Sequence, residues 1–166
     1  MNCKLTFLLL NALAAGCATT PKSTIPHVAN ALPAEALITQ RAVLTARGRQ
    51  FTMNGYLASS ATGDQRLIVT ENLGNILADV LVKSDGATRV MRSSPMFRPA
   101  WIERYLAADV RCIFGGAAEV NCPGRRLSPT HFVIERRWYT LDLQIVETKP
   151  GPQPPELFDE TRKAAP

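Results

Sequence analysis

The chain has 166 residues, 46% of them apolar, and a formal charge of +5 from 19 basic and 14 acidic side chains. That length and apolar share describe one globular domain with a core and exclude a disordered chain. Arginine supplies 14 of the 19 cations, a balance that favours anionic surfaces.

Residues 1–16 read as a secretory signal: Lys4 is a positive start, Leu5 to Leu10 an apolar run, and Ala14-Ala15-Gly16 the small residues before a cut. The run is too short for a permanent transmembrane helix, which needs about 20 residues. The residue after the cut is Cys17, and Leu13-Ala14-Ala15-Gly16-Cys17 resembles a bacterial lipobox with its leucine one place early. That resemblance implies lipidation of Cys17, with palmitate-type acyl chains that tether the chain without spanning the bilayer. Ala18 stands where an Asp would imply retention at the inner membrane, so the expected location is the outer membrane, on its periplasmic face. Residues 17–34, with Pro21, Pro26 and Pro33 and little periodicity, read as a flexible stalk.

Residues 35–149 form the expected folded domain. Ala36 to Ala46 is a first strand, broken at Arg47-Gly48-Arg49. Gln50 to Ser59 is a second, with Phe51, Met53 and Leu57 on one face and Gln50, Thr52 and Asn54 on the other. Gly63-Asp64 is a hairpin signal. Arg66 to Thr70 and Ile76 to Lys83 then flank Thr70-Glu71-Asn72-Leu73-Gly74-Asn75-Ile76, a turn with a leucine at its centre. Ser84-Asp85-Gly86 leads to a fifth strand, Thr88 to Arg92.

The period then changes. Pro99 fits a first helical position, and Trp101, Ile102, Tyr105, Leu106, Val110 and Ile113 follow at helical spacings, up to Gly115-Gly116. The arginines of this helix suit either phosphate headgroups or a plain solvated face, and Met96-Phe97 either an exposed apolar lip or core. Phe132 to Glu135 and Tyr139 to Glu147 are the last strands, with Tyr139, Leu141, Leu143 and Ile145 alternating against Thr140, Asp142 and Gln144. Residues 150–166 open with Pro-Gly-Pro-Gln-Pro-Pro and read as a tail that trails over the surface or stays mobile.

Six or seven antiparallel strands with one inserted helix predict an α+β fold: a single curved antiparallel sheet, a half-barrel, whose concave face is covered by the amphipathic helix. Such a cover encloses a cavity suited to acyl chains. Phe51, Met53, Leu57, Val80, Trp101, Ile102, Leu106 and Leu143 are the candidate cavity residues, each more readily read as core.

Signals for chemistry are few. With Cys3 removed and Cys17 modified, Cys112 and Cys122 remain, and in an exported chain they predict a disulfide. Zinc bound with His131 would lack ligands. Cys112, His131 and Asp109 have the residue types of a thiol hydrolase, but a Cys112–Cys122 bond would consume the nucleophile. Neither phosphate loop, nucleophile elbow nor HExxH motif is present, and no enzyme activity or cofactor is expected. An export signal also removes nucleic acid as a partner despite the basic charge.

Leu67-Ile68-Val69-Thr70-Glu71-Asn72-Leu73-Gly74-Asn75-Ile76-Leu77 resembles the strand, Thr-x-x-Leu-Gly turn and following strand of LolB, an outer-membrane lipoprotein of the LolA/LolB superfamily. Cys17-Ala18-Thr19-Thr20-Pro21-Lys22 resembles the mature start of LolB, and Arg98-Pro99-Ala100-Trp101-Ile102 is similar to the proline and tryptophan before its helix, at shorter spacing. The helical insertion is abbreviated, and a Pro-rich tail stands where LolB continues into further strands.

The resemblance implies a LolA/LolB-like fold in which Leu73 protrudes to contact membrane or cargo. It also implies lipid binding and protein transport: acyl chains of lipoproteins, or membrane lipids, received from a periplasmic LolA-like carrier and localised or inserted in the outer membrane. The rival reading is a non-catalytic envelope lipoprotein that docks a membrane assembly complex through Arg125, Arg126, Arg136 and Arg137. From periodicity alone Leu73 would instead fold back onto the core edge.

Overall fold

The computed structural model describes residues 33–115 and 123–161. Within them lies one open sheet of eight antiparallel strands in the order β5-β4-β3-β2-β1-β8-β7-β6. The strands are β1 (Ala36–Ala46), β2 (Arg49–Ser59), β3 (Gln65–Glu71), β4 (Ile76–Val82), β5 (Thr88–Ser93), β6 (Gly124–Ser128), β7 (His131–Arg136) and β8 (Tyr139–Pro150). With one helix on the curved sheet, the fold is α+β, as the alternation predicts.

The two long strands set the register. β1 pairs along its whole length with β2, from Ala36 opposite Ser59 to Ala46 opposite Arg49. On its other side it pairs with β8, where Ala42 faces Leu143 and Leu44 faces Leu141. Strict alternation then fixes which face is apolar, because a one-residue slip would turn Met53, Leu57, Leu141 and Leu143 to water. These four are buried, together with Ile38 and Leu44 of β1.

β5 and β6 are the two sheet edges, so the segment joining them must cross the sheet. It carries α1, a continuous helical run made of Pro99–Trp101, Ile102–Leu106 and Ala107–Phe114. Its middle stretch is a π-turn, in which the Ala107 N–H donates to the Ile102 carbonyl five residues back. In a regular helix, at about 100° per residue, residues five apart would point about 140° from each other. The wider turn lets both Ile102 and Ala107 be fully buried against the sheet. Ile102, Val110 and Ile113 join Met53, Leu57, Val69, Val80, Ile134 and Leu143 in one core. Full burial of each aliphatic side chain stabilises by about 1.5–3 kcal/mol, which keeps the helix seated across the sheet.

Two features differ from the sequence reading. Gly124–Ser128 forms the edge strand β6, which Arg125 and Arg126 disguise as a loop; charged residues are the usual protection of an exposed edge. Of the two readings of the tail, its described part takes the one over the surface, with Pro155–Phe158 as a short 3-10 turn against β3 that the sequence did not suggest. There the Arg66 guanidinium is bonded to both carboxylate oxygens of Asp79, at 2.9 and 2.7 Å, and gives a third bond of 2.8 Å to the Leu157 carbonyl. The tail thus covers the outer face of β3 and β4, explaining why Asp79 and Leu81, which point away from α1, are also buried.

Candidate functional site

Antiparallel pairing sorts the connections to two ends of the sheet. Ala36, Ser59 and Pro150 lie at one end, where the chain enters β1. The β1–β2 turn, the β3–β4 turn, the end of β5 leading into α1, and the β7–β8 turn all lie at the other. This second end is the mouth. Its β3–β4 turn is closed by Glu71 N–H to Asn75 carbonyl and Gly74 N–H to Glu71 carbonyl bonds, with Gly74 at φ 87°. The turn leaves Leu73 89% exposed. Met96 and Trp138 are exposed at the same end, at 54% and 62%. The far end turns on Ser60 to Asp64, Ser84 to Gly86 and Ser128 to Thr130, which are mainly polar.

A cleft of about 960 Å³ opens at the mouth, within the range of about 300–1,000 Å³ usual for small-molecule sites. Leu44, Phe51, Met96, Phe97, Trp101, Tyr105, Trp138 and Tyr139 give it apolar and aromatic walls. Phe97 stacks on Trp101 with ring centroids 5.2 Å apart, and Trp101 meets Tyr139 at 5.4 Å and Tyr105 at 6.0 Å. Rings so locked form a wall with little side-chain entropy left to lose on binding. Ala46, Arg47, Arg49 and Arg98 complete the lining, which contains no acidic residue among the described residues. Arg47 occupies the left-handed region at φ 49°, beside Gly48 at φ 73°, in a tight hairpin where Asn, Asp or Gly is the usual choice.

Beneath α1 the packing is close. Among the described residues it leaves two spaces of about 30 Å³ each, about enough for one water apiece. Gln40, Met53, Leu67, Leu106, Val110 and Leu143 are among the residues lining the first, and Met53, Trp101, Leu106 and Tyr139 among those lining the second. Both touch Asp109, which is 2% exposed and ties the helix to the sheet. Asp109 Oδ1 accepts from Arg136 Nη2 at 2.6 Å and Nε at 2.9 Å, and Oδ2 accepts from the Tyr139 hydroxyl. Burial pushes the Asp109 carboxyl above its ordinary value, and the bonds from Tyr139 and Arg136 pull it back only in part. Burial and the Asp109 charge raise the Tyr139 phenol as well, so it stays a donor.

The predicted cavity residues therefore divide. Phe51 and Trp101 line the mouth cleft. Met53, Leu106 and Leu143 line the small spaces beneath the helix, while Leu57, Val80 and Ile102 are closed core. Met96 and Phe97 split between lip and core, since Phe97 is 8% exposed. The thiol-hydrolase trio is not gathered: His131 bonds Asp142 at 2.8 Å, Asp109 is held by Arg136 and Tyr139, and the Cys112 sulfur is in a disulfide. Cys122, its predicted partner, lies outside the described residues, as do Cys17 and most of the stalk.

Sequence reasoning missed Leu44, Tyr105, Trp138, Tyr139 and the three arginines as cleft residues. Their common signal is position: Arg47, Arg49, Arg98 and Trp138 all stand at strand or helix ends that antiparallel pairing brings together. No model of a known protein family matches the chain, and no curated protein matches it.

Proposed function

We propose that this is a lipid-anchored, LolB-like lipoprotein of the outer membrane that receives acyl chains at the mouth of its sheet and assists the localisation or insertion of lipoproteins or lipids. The observation that carries the reading is the coincidence of a roomy aromatic cleft with the exposed Leu73 at one end of the fold. The acyl site is the open mouth rather than the space beneath α1, which admits little more than water. Transfer needs no covalent step. It follows from differences in affinity between carrier, cleft and bilayer, at about 25 cal/mol for each Å² of apolar surface removed from water.

The tether accommodates this geometry. Residues 18–34 precede β1 at the far end, and 17 residues extend to at most about 60 Å. The 11-residue β1 spans about 37 Å, so a chain anchored through Cys17 can still bring Leu73 and the cleft to the same bilayer. Titration of the full chain with a fluorescent fatty acid tests the reading. Saturable binding that depends on Trp101 supports it, and an absence of saturable binding overturns it.

The close packing beneath α1 favours a second reading, an interaction lipoprotein that docks an envelope complex. Its four arginines are largely engaged, however: Arg136 by Asp109, Arg125 by Glu135 at 3.7 Å, and Arg126 by the Ser128 carbonyl at 3.0 Å. Only Arg137, lying over the Trp138 ring at 4.7 Å, is left facing the mouth.

A further inference from the structure

We infer that the mouth cleft selects an amphiphile with an anionic, phosphate-type headgroup, bound by Arg47, Arg49 and Arg98 while its apolar chain lies on the aromatic wall. The inference rests on the acyl-binding reading and adds the class of headgroup. Three guanidinium groups line one cleft with no carboxylate among the lining residues. All three are exposed and none has an ion-pair partner among the described residues, whereas the less exposed Arg66 and Arg136 are paired with Asp79 and Asp109. The cleft therefore carries positive charge with no acidic partner among the described residues, beside walls that favour apolar surface. Neither half suits a free polar anion or a neutral lipid as well as one molecule carrying both features.

The chemistry of the donors agrees. A guanidinium offers a planar fork that matches two oxygens of a phosphate, and such charge-assisted bonds are stronger than those between neutral groups. Arg47 and Arg49 come from one turn and Arg98 from the residue before α1, so donors approach from the sheet side and the helix side of the same opening. Arg136 near the Tyr105 ring is already paired with Asp109, so the nearest further cation is Arg104, 5.5 Å from the centroid of that ring. Arg104 adds to the positive charge there without lining the cleft.

The two tryptophans of the chain, Trp101 and Trp138, both line the cleft, so intrinsic fluorescence reports on this site. The full chain, carried on neutral-lipid nanodiscs, is titrated with dodecyl phosphate, dodecyl maltoside and inorganic phosphate. Dodecyl phosphate is expected to give a saturable change at least about tenfold tighter than dodecyl maltoside. The R49Q/R98Q variant is expected to erase that margin while binding the maltoside as before, and R49K/R98K to keep most of it. Discs containing phosphatidylglycerol, with no added ligand, distinguish sources: the same change there identifies the membrane's own headgroups, and its absence identifies a delivered amphiphile. Equal binding of both dodecyl compounds overturns the headgroup inference and leaves acyl binding standing. Equal binding of inorganic phosphate and dodecyl phosphate also overturns it, since the ligand would be a free anion. Binding of none of the three overturns the acyl reading itself.

Discussion

Asp109 of α1 and Arg136 of β7 are joined by two hydrogen bonds of 2.6 and 2.9 Å, a polar clamp between the helix and the sheet it crosses. The clamp stands at the inner edge of the mouth cleft, because Tyr139, the third member, lines that cleft while donating to Asp109. Removing one partner of such a pair strands the other. D109A is expected to cost about 3 kcal/mol, the lower end for buried pairs, because Arg136 keeps 21% of its side chain exposed. Urea unfolding of D109A, R136A and the double variant measures this, and the double variant is expected to lose much less than the sum.

Gly55 and Gln40 face each other across β1 and β2. A Cβ at Gly55 would meet Gln40 Nε2 at 2.6 Å and Cγ at 2.7 Å. G55A is therefore expected to destabilise by about 1–3 kcal/mol through overpacking, and Q40A in the same chain to recover most of the loss. Gln40 Oε1 is buried without a partner, so Q40M alone should be neutral or stabilising by about 1 kcal/mol. Thermal melting of the three variants decides both points.

Leu73 contacts water, so its loss costs the fold little. L73E is expected to change stability by no more than about 0.5 kcal/mol and to weaken association with vesicles, which melting and flotation measure side by side. Unfolding of L73E would instead mean that the leucine supports the core.

Acid sensitivity should arise at the far end, where Asp64 meets Lys83 at 2.6 Å and the Ser84 N–H at 3.0 Å. Burial raises the Asp64 carboxyl, but the bonds from Lys83 and Ser84 outweigh it, and the group titrates below its ordinary 3.8. The ionised form is thus favoured by folding. Its stabilisation is complete above the ordinary carboxylate value and is lost as pH falls through the lowered folded one. D64N is expected to lose about 1 kcal/mol at pH 7 and nothing relative to wild type below both values, as melting curves across that range would record.

Alternation made most of the sheet legible: Phe51, Met53 and Leu57, and Tyr139 to Ile145, lie on the faces their period assigns. The helix was legible from Pro99 and its 3–4 spacing, though not its π-turn, which becomes visible only when Ile102 and Ala107 must both face the sheet. β6 escaped because an arginine-rich edge strand carries no apolar period. The site was legible only in part. Leu73 stood out as a large apolar residue in a turn and Trp101 was one of eight cavity candidates, but the cleft joins three connections distant in sequence, and only the strand order brings Arg47, Arg98 and Trp138 to one opening. The expectation of room beneath the helix followed from treating a covering helix as a spacer. Ile102, Val110 and Ile113 fill that space.

Photocrosslinking with a diazirine fatty acid followed by peptide mass spectrometry tests whether acyl chains occupy the mouth cleft. Adducts are expected to concentrate on Phe51, Met96, Trp101 and Trp138 and to be competed away by unlabelled fatty acid. Adducts confined to the outer face of the sheet, or scattered without competition, would contradict acyl occupancy of the cleft.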